Sequence, residues 1–230
     1  MSALELLDSV TKKLMNTSST DSKNDEINDK SDDVALKVLS IQSTVVFGIC
    51  GNKAAMFPLQ LHGFDVSPMN TVQFSNHTAY PKWTGTISTG KEIDELVDGL
   101  KSNNLFTFEY LITGYMGGID CLSHLKKIIV ELKSNADKNK KKLFYACDPV
   151  MGDNGKLYAD YFKPFINVYK NDIIKYANLL TPNQTEASFL LNNMKIETLN
   201  DAYNACCKFH EMGIRYVVIT SIDIPTEKNK

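Results

Sequence analysis

Residues 143–153, LFYACDPVMGD, decide how the rest of the chain is read. The apolar run 143–147 has the length and character of a buried strand. Asp148-Pro149 ends it, because the residue before a proline is pushed out of the helical region. Asp153 follows after Gly152, which lets the connecting loop bend. A buried strand that delivers carboxylates at its carboxyl end matches the place where open α/β sheets bind ligands. Two acids there suit a magnesium-nucleotide site, since Mg2+ favours carboxylates, water and substrate phosphates. The same residues are equally compatible with an Asp-Pro turn after an ordinary strand.

Moving outward, the pattern alternates. Ahead of the segment, residues 110–113 read as a strand ending in Gly114. Residues 121–132 read as a helix with Leu122, Leu125, Ile128, Ile129 and Leu132 on one face. Residues 135–142 are polar and lysine-rich and read as a solvated turn. Behind the segment, 161–176 is mostly helical, 178–180 a short strand and 185–192 a helix capped by Thr181-Pro182-Asn183. A helix over 200–212 and a β-branched strand over 215–220 follow. On the amino-terminal side lie a strand over 36–41 and a glycine-containing loop over 42–51. A helix over 52–62 comes next, then an extended piece over 64–74 broken at Pro68. A short strand over 83–87 and a helix over 92–103 complete that half. Strand and helix in this alternation predict an α/β fold, a mostly parallel sheet with helices on both faces and right-handed connections. Residues 1–35 differ: Leu4, Leu7, Val10 and Leu14 have helical spacing, and residues 16–33 are almost wholly polar. They read as a flexible extension ahead of one folded domain over 36–230.

Composition narrows the function classes. The chain has 230 residues with 25 Lys and Arg against 27 Asp and Glu, a formal net charge of -2. That balance offers no electrostatic case for nucleic acid or an anionic membrane. No apolar run reaches the length of a membrane span. The five cysteines (Cys50, Cys121, Cys147, Cys206 and Cys207) form no CxxC pair, which predicts reduced thiols and a cytoplasmic protein. The amino terminus has neither the apolar core of a signal peptide nor the composition of a mitochondrial presequence.

Three strand ends carry polar clusters. Asp148 and Asp153 follow the first. Thr181, Asn183 and Glu186 follow the second, where the three-residue spacing is also that of a plain helix cap. Thr220 and Ser221 follow the third. In a parallel sheet these ends share one edge. A further run, Val72-Gln73-Phe74-Ser75-Asn76-His77-Thr78, gathers hydroxyl, amide and imidazole groups beside an aromatic. It suits a small polar aromatic ligand and equally suits a hydrogen-bonded turn. There is no Walker A loop, no GxSxG elbow and no HExxH.

Taken in order, SIQS at 40–43, GNKAA at 51–55, FPLQ at 57–60, VQFSNHT at 72–78, TGY at 113–115, CDPVMGD, TPNQTE at 181–186 and VITS at 218–221 resemble the eukaryotic pyridoxal kinases of the ribokinase superfamily. The resemblance implies a ribokinase-like fold and ATP-dependent phosphorylation of the 5'-hydroxymethyl group of pyridoxal, pyridoxine and pyridoxamine. It implies that Ser43, Thr78 and Tyr115 bind the vitamin, with Val72 and Phe74 lining its pocket. It implies that Asp148, Asn183, Thr220 and Ser221 contact ATP. Asp153, Thr181 and Glu186 would organise Mg2+ and a monovalent cation, K+ or Na+, partly through water. It also implies a homodimer. The family carries its base and anion hole in a Gly-Thr-Gly-Asp turn, which does not occur in these 230 residues. By the resemblance, the family's catalytic Asp falls beyond Lys230, the last residue of the sequence. The expectation is therefore a kinase domain incomplete at its carboxyl end, with no catalytic base of its own and little activity alone. Alternatives are a non-catalytic vitamin-binding or dimerisation partner, or a hydroxymethylpyrimidine kinase-like enzyme, against which SIQS and VQFSNHT speak.

Overall fold

The structure is a computed structural model and describes residues 36–223. The expected amino-terminal extension lies outside the described residues. So does the carboxyl-terminal stretch ending at Lys230, past which the resemblance puts the catalytic Asp. The domain expected over 36–230 is therefore described only as far as residue 223. Seven strands form one sheet: β1 (Lys37–Val45), β2 (Asp65–Phe74), β3 (Gly85–Ile87), β4 (Tyr110–Thr113), β5 (Phe144–Cys147), β8 (Leu179–Leu180) and β9 (Tyr216–Val217). Their order is β3-β2-β1-β4-β5-β8-β9. All neighbours are parallel except β2 and β3, which are antiparallel. Two further strands, β6 (Gly152–Asp153) and β7 (Lys156–Leu157), make a separate hairpin just after the opening segment. The fold is the mostly parallel, ribokinase-like arrangement that the sequence predicted.

The helices are α1 (Asn52–Leu61), α2 (Gly90–Ser102), α3 (Ile119–Lys138), α4 (Lys163–Val168), α5 (Gln184–Leu190) and α6 (Leu199–Glu211). No residue of β1, β4 or β5 is exposed, so both faces of the sheet centre are covered. The face of α3 read from spacing is the buried one, with Leu122, Leu125, Ile128, Ile129 and Leu132 all in the core. Burying each such side chain stabilises the fold by about 1.5–3 kcal/mol. Helices α2, α5 and α6 begin at reciprocal capping boxes: Thr89 with Glu92, Asn183 with Glu186, and Thr198 with Asp201.

The structure corrects several boundaries. Strand β1 continues to Val45 rather than yielding to a loop after residue 41, because β2 pairs with it as far as Val45↔Phe74. Pro68 does not break β2: it pairs with Ser40 at a level where β3 has not yet begun, so its missing N–H costs no ladder bond. Helix α3 carries on to Lys138 through residues expected in a turn, since Ala136 still reaches the core. The last strand is only Tyr216–Val217, although Val218 and Thr220 still donate to the carbonyls of Leu180 and Pro182. The stretch expected to be one helix over 161–176 is a 3-10 turn, the short α4, a π turn over Tyr169–Ile173 and a second 3-10 turn.

Candidate active site

The strand order reverses direction between β1 and β4: the chain runs outward from β1 through β2 and β3, then resumes on the other side of β1. In open α/β sheets such a switch point leaves a crevice at the carboxyl ends of the strands. A cavity of about 220 Å³ occupies that position, where β1, β2 and β4 end. Ser43, Val72, Phe74, Thr78 and Tyr115, the five residues predicted on the vitamin side, all line it. They converge because the β1–β2 register breaks. Gln42 pairs with Asn70, but Thr44 pairs with Gln73, so Thr71 and Val72 together oppose Ser43. The bulge shifts the alternation of β2 by one residue, and Thr71, Val72 and Phe74 are all buried.

The walls are held locally. Gly51 sits at φ +54°, and a Cβ there would lie 2.1 Å from the carbonyl oxygen of Ser43, so only glycine lets the loop close over that residue. His77 lines the cavity and its Nδ1 also accepts a 3.2 Å bond from the Ala79 N–H, so the ring is both wall and turn. Burial pushes the Tyr115 phenol far up, with its hydroxyl 3.3 Å from that of Tyr161. Several lining residues had been given no role from the sequence, among them Gln42, Val45, Cys50 and Tyr158. Gln42 immediately precedes Ser43 on a strand that continues further than expected. Tyr158 follows the β6–β7 hairpin, whose two-residue strands give no periodic signal.

Asp148 joins this cavity to the acidic edge. It lines the cavity, and its carboxyl is pushed up to about 7 by burial alone. Among the described residues no hydrogen bond reaches that carboxylate. Glu186 is pushed up to about 8, chiefly by burial and partly by the Asp148 charge, against the lowering effect of the backbone N–H groups it accepts. Two of these come from Met151 (3.0 Å) and Asn183 (2.9 Å), one to each carboxylate oxygen, so Glu186 ties the 148–153 loop to the start of α5. Asn183 returns the link: its Nδ2 donates to the Gly152 carbonyl at 2.8 Å and its Oδ1 accepts from the Glu186 N–H at 2.9 Å. The Thr181 N–H donates to the Cys147 carbonyl and the Thr220 N–H to that of Pro182. Beyond this loop a second, larger cavity of about 720 Å³ is lined by Asp153, Thr185, Ser221 and Lys195 among others. Asn183, Thr181 and Thr220 line neither cavity; they follow the carboxyl ends of β8 and β9.

Among the described residues no three His, Cys, Asp or Glu side chains gather as a metal cluster. Magnesium held by one or two carboxylates, waters and phosphate oxygens needs none. The donor set fits such an ion, because a cation beside Asp148 offsets the burial that now disfavours its charge. Glu186 already accepts one backbone N–H on each carboxylate oxygen, so it would meet a cation through water.

A switch-point cavity lined by a half-buried carboxylate, on this mostly parallel sheet, is the arrangement of the ribokinase-like fold class. Comparison with known proteins narrows it. The family model described as phosphomethylpyrimidine kinase matches residues 124–230. The pyridoxal kinase of Arabidopsis thaliana is 45% identical over 188 residues, covering 82% of this chain and 59% of that protein. The human pyridoxal kinase is 41% identical, covering 83% of this chain and 60% of its own length. The solved pyridoxal kinase from Leishmania donovani in complex with ADP and pyridoxamine is 38% identical with a TM-score of 0.77, covering 83% of this chain and 66% of that one. The chain is homologous to the pyridoxal kinases over about four-fifths of its length and spans about 59% of the length of the curated relatives it matches.

Proposed function

We propose that this domain binds pyridoxal, pyridoxine and pyridoxamine in the switch-point cavity and presents the 5'-hydroxymethyl group for phosphorylation by ATP. The observation that carries this is the meeting of Ser43, Val72, Phe74, Thr78 and Tyr115 around one cavity that also contains Asp148. A pyridine ring carrying hydroxyl and hydroxymethyl groups needs apolar faces and a few hydroxyl partners. Val72 and Phe74 supply the first, and Ser43, Thr78 and Tyr115 the second. Phosphoryl transfer asks a protein mainly for positioning and charge neutralisation. ATP supplies the phosphoryl group, with Mg2+ offsetting its charge. Asp148 and Asp153 face that ion from either side of the loop, Glu186 and Thr181 through water, and a monovalent cation, K+ or Na+, shares this edge. Asn183, Thr220 and Ser221 contact the nucleotide.

The base that the family resemblance assigns to a Gly-Thr-Gly-Asp turn has no counterpart in the sequence up to Lys230, so the roles proposed here are binding and positioning. The kinase reading is preferred to a pyrimidine kinase because the relatives covering more than four-fifths of the chain are pyridoxal kinases. We also propose a cytoplasmic homodimer. No helix among the described residues is long and apolar enough to cross a membrane. Val46, Phe47 and Ile49 after β1, with Phe57 and Leu61 on α1, are exposed apolar side chains suited to a second copy.

The test is pyridoxal 5'-phosphate formation with ATP, Mg2+ and K+, by this chain and by a version that includes any reading frame downstream of Lys230. Turnover of pyridoxal by either supports the reading. Phosphorylation of hydroxymethylpyrimidine and not of pyridoxal overturns it.

A further inference from the structure

A polar cluster centred on the buried Asn52 lies behind the wall of the cavity and meets it at Gln42. Asn52, the first residue of α1, is 2% exposed although it carries a full amide. Its Nδ2 reaches the Asn70 Oδ1 at 2.7 Å, the Met69 carbonyl at 3.2 Å and the Gln42 carbonyl at 3.3 Å. Its Oδ1 accepts from the hydroxyl of Ser40, itself fully buried, at 2.8 Å. That hydroxyl in turn accepts from Gln42 Nε2 at 2.9 Å. Gln42 and Asn70 are the last register pair before the β1–β2 break. One amide therefore grips both strands at the point where the ladder slips. On the far side of the slip, Thr71 is fully buried and donates to the Tyr115 carbonyl at 2.6 Å, tying the bulge to the end of β4.

We propose that Asn52 and Thr71 are positioning residues that hold the β1–β2 bulge, and through it aim Ser43, Val72 and Tyr115 into the cavity, so that they set affinity for the vitamin and leave the nucleotide side untouched. The physical reason is register. Side chains alternate along a strand, so a bulge that relaxes by one residue turns Val72 away from the cavity. The main-chain carbonyls at the slip lack a full ladder, and Asn52 supplies the donors they would otherwise miss. The inference rests on the proposed vitamin site, and the experiment separates the two.

The sole tryptophan, Trp83, packs on Phe74 with ring centroids 4.5 Å apart, so its emission reports on the cavity wall. Pyridoxal is titrated against that emission, and Mg-ADP affinity is measured by calorimetry, for the wild type, Asn52→Ala and Thr71→Val. Thr71→Val keeps the β-branched shape and removes one hydrogen bond, so it carries the test even if Asn52→Ala fails to fold. Each folded variant is expected to bind pyridoxal about tenfold more weakly, with Mg-ADP affinity unchanged within about twofold. Wild-type pyridoxal affinity in folded Thr71→Val, or an equal loss for both ligands, overturns the proposal. If the wild type itself binds no pyridoxal, the vitamin reading fails. The bulge is then judged by amide exchange at residues 72–74: faster exchange in Thr71→Val supports the clamp, and unchanged exchange refutes it.

Discussion

Two carboxylates of unequal situation set the chemistry at the residue scale. Asp148 is half-buried without a hydrogen-bond donor and is pushed up to about 7, whereas Glu186 is buried with a backbone N–H on each oxygen and still lies near 8. A cation bound beside Asp148 must displace its proton below that value. Mg-nucleotide affinity should therefore rise as pH increases through about 7, with protons released on binding. Calorimetry in buffers of different ionisation enthalpy reads this directly, and Asp148→Asn should abolish the Asp148 share of the release. In a chain that turns over, the same substitution should lower kcat by about 100-fold, the scale at which one placed electrostatic group acts in a transition state. Unchanged turnover would remove Asp148 from the site. Ser43→Ala should raise the KM for pyridoxal about tenfold and leave that for ATP unchanged. An ATP-selective effect would reassign Ser43.

At the scale of elements, the start of α5 does two jobs. Asn183 caps the helix and also holds the Gly152 carbonyl, so the cap fixes the 148–153 loop. Asn183→Ala should cost about 1–2 kcal/mol in urea unfolding, near the upper end for a cap. Leu125→Ala in α3 removes a fully buried side chain and should cost about 2–5 kcal/mol without changing vitamin affinity. The sequence made α3 readable because its apolar residues recur at helical spacing, and it made β5 readable as an unbroken apolar run. It could not disclose the β1–β2 bulge, since a register slip is a relation between two strands and leaves no trace in either alone. Pro68 looked like a break for the same reason: whether its missing donor matters depends on which strands flank it. The β6–β7 hairpin and its neighbour Tyr158 escaped because two-residue strands have no period. The site residues came from motif resemblance. From the residues alone, Thr181, Asn183 and Glu186 read equally as a helix cap, and in the structure the latter two form that cap.

For the whole molecule, the raised carboxyls carry a stability consequence. A group whose folded pKa lies above its unfolded value binds protons more tightly in the native state, so stability falls as pH rises between the two values. For Asp148 that window runs from about 4 to about 7, and for Glu186 from about 4.5 to about 8. Their contribution to the unfolding free energy should decrease across this range, and Mg-nucleotide should restore part of it by binding the ionised, folded form. Thermal unfolding between about pH 5 and about pH 8, with and without Mg-ADP, measures both. A ligand effect that does not grow with pH would contradict the assignment.

The account's central claim is that the switch-point cavity takes a pyridoxal-type ring. Isothermal calorimetry of this chain with pyridoxal and with hydroxymethylpyrimidine, each in the presence of Mg-ADP, tests it without depending on the transfer step. The account predicts saturable one-to-one pyridoxal binding that Ser43→Ala weakens, and much weaker binding of the pyrimidine. Tighter binding of the pyrimidine, or pyridoxal binding indifferent to Ser43, would contradict it.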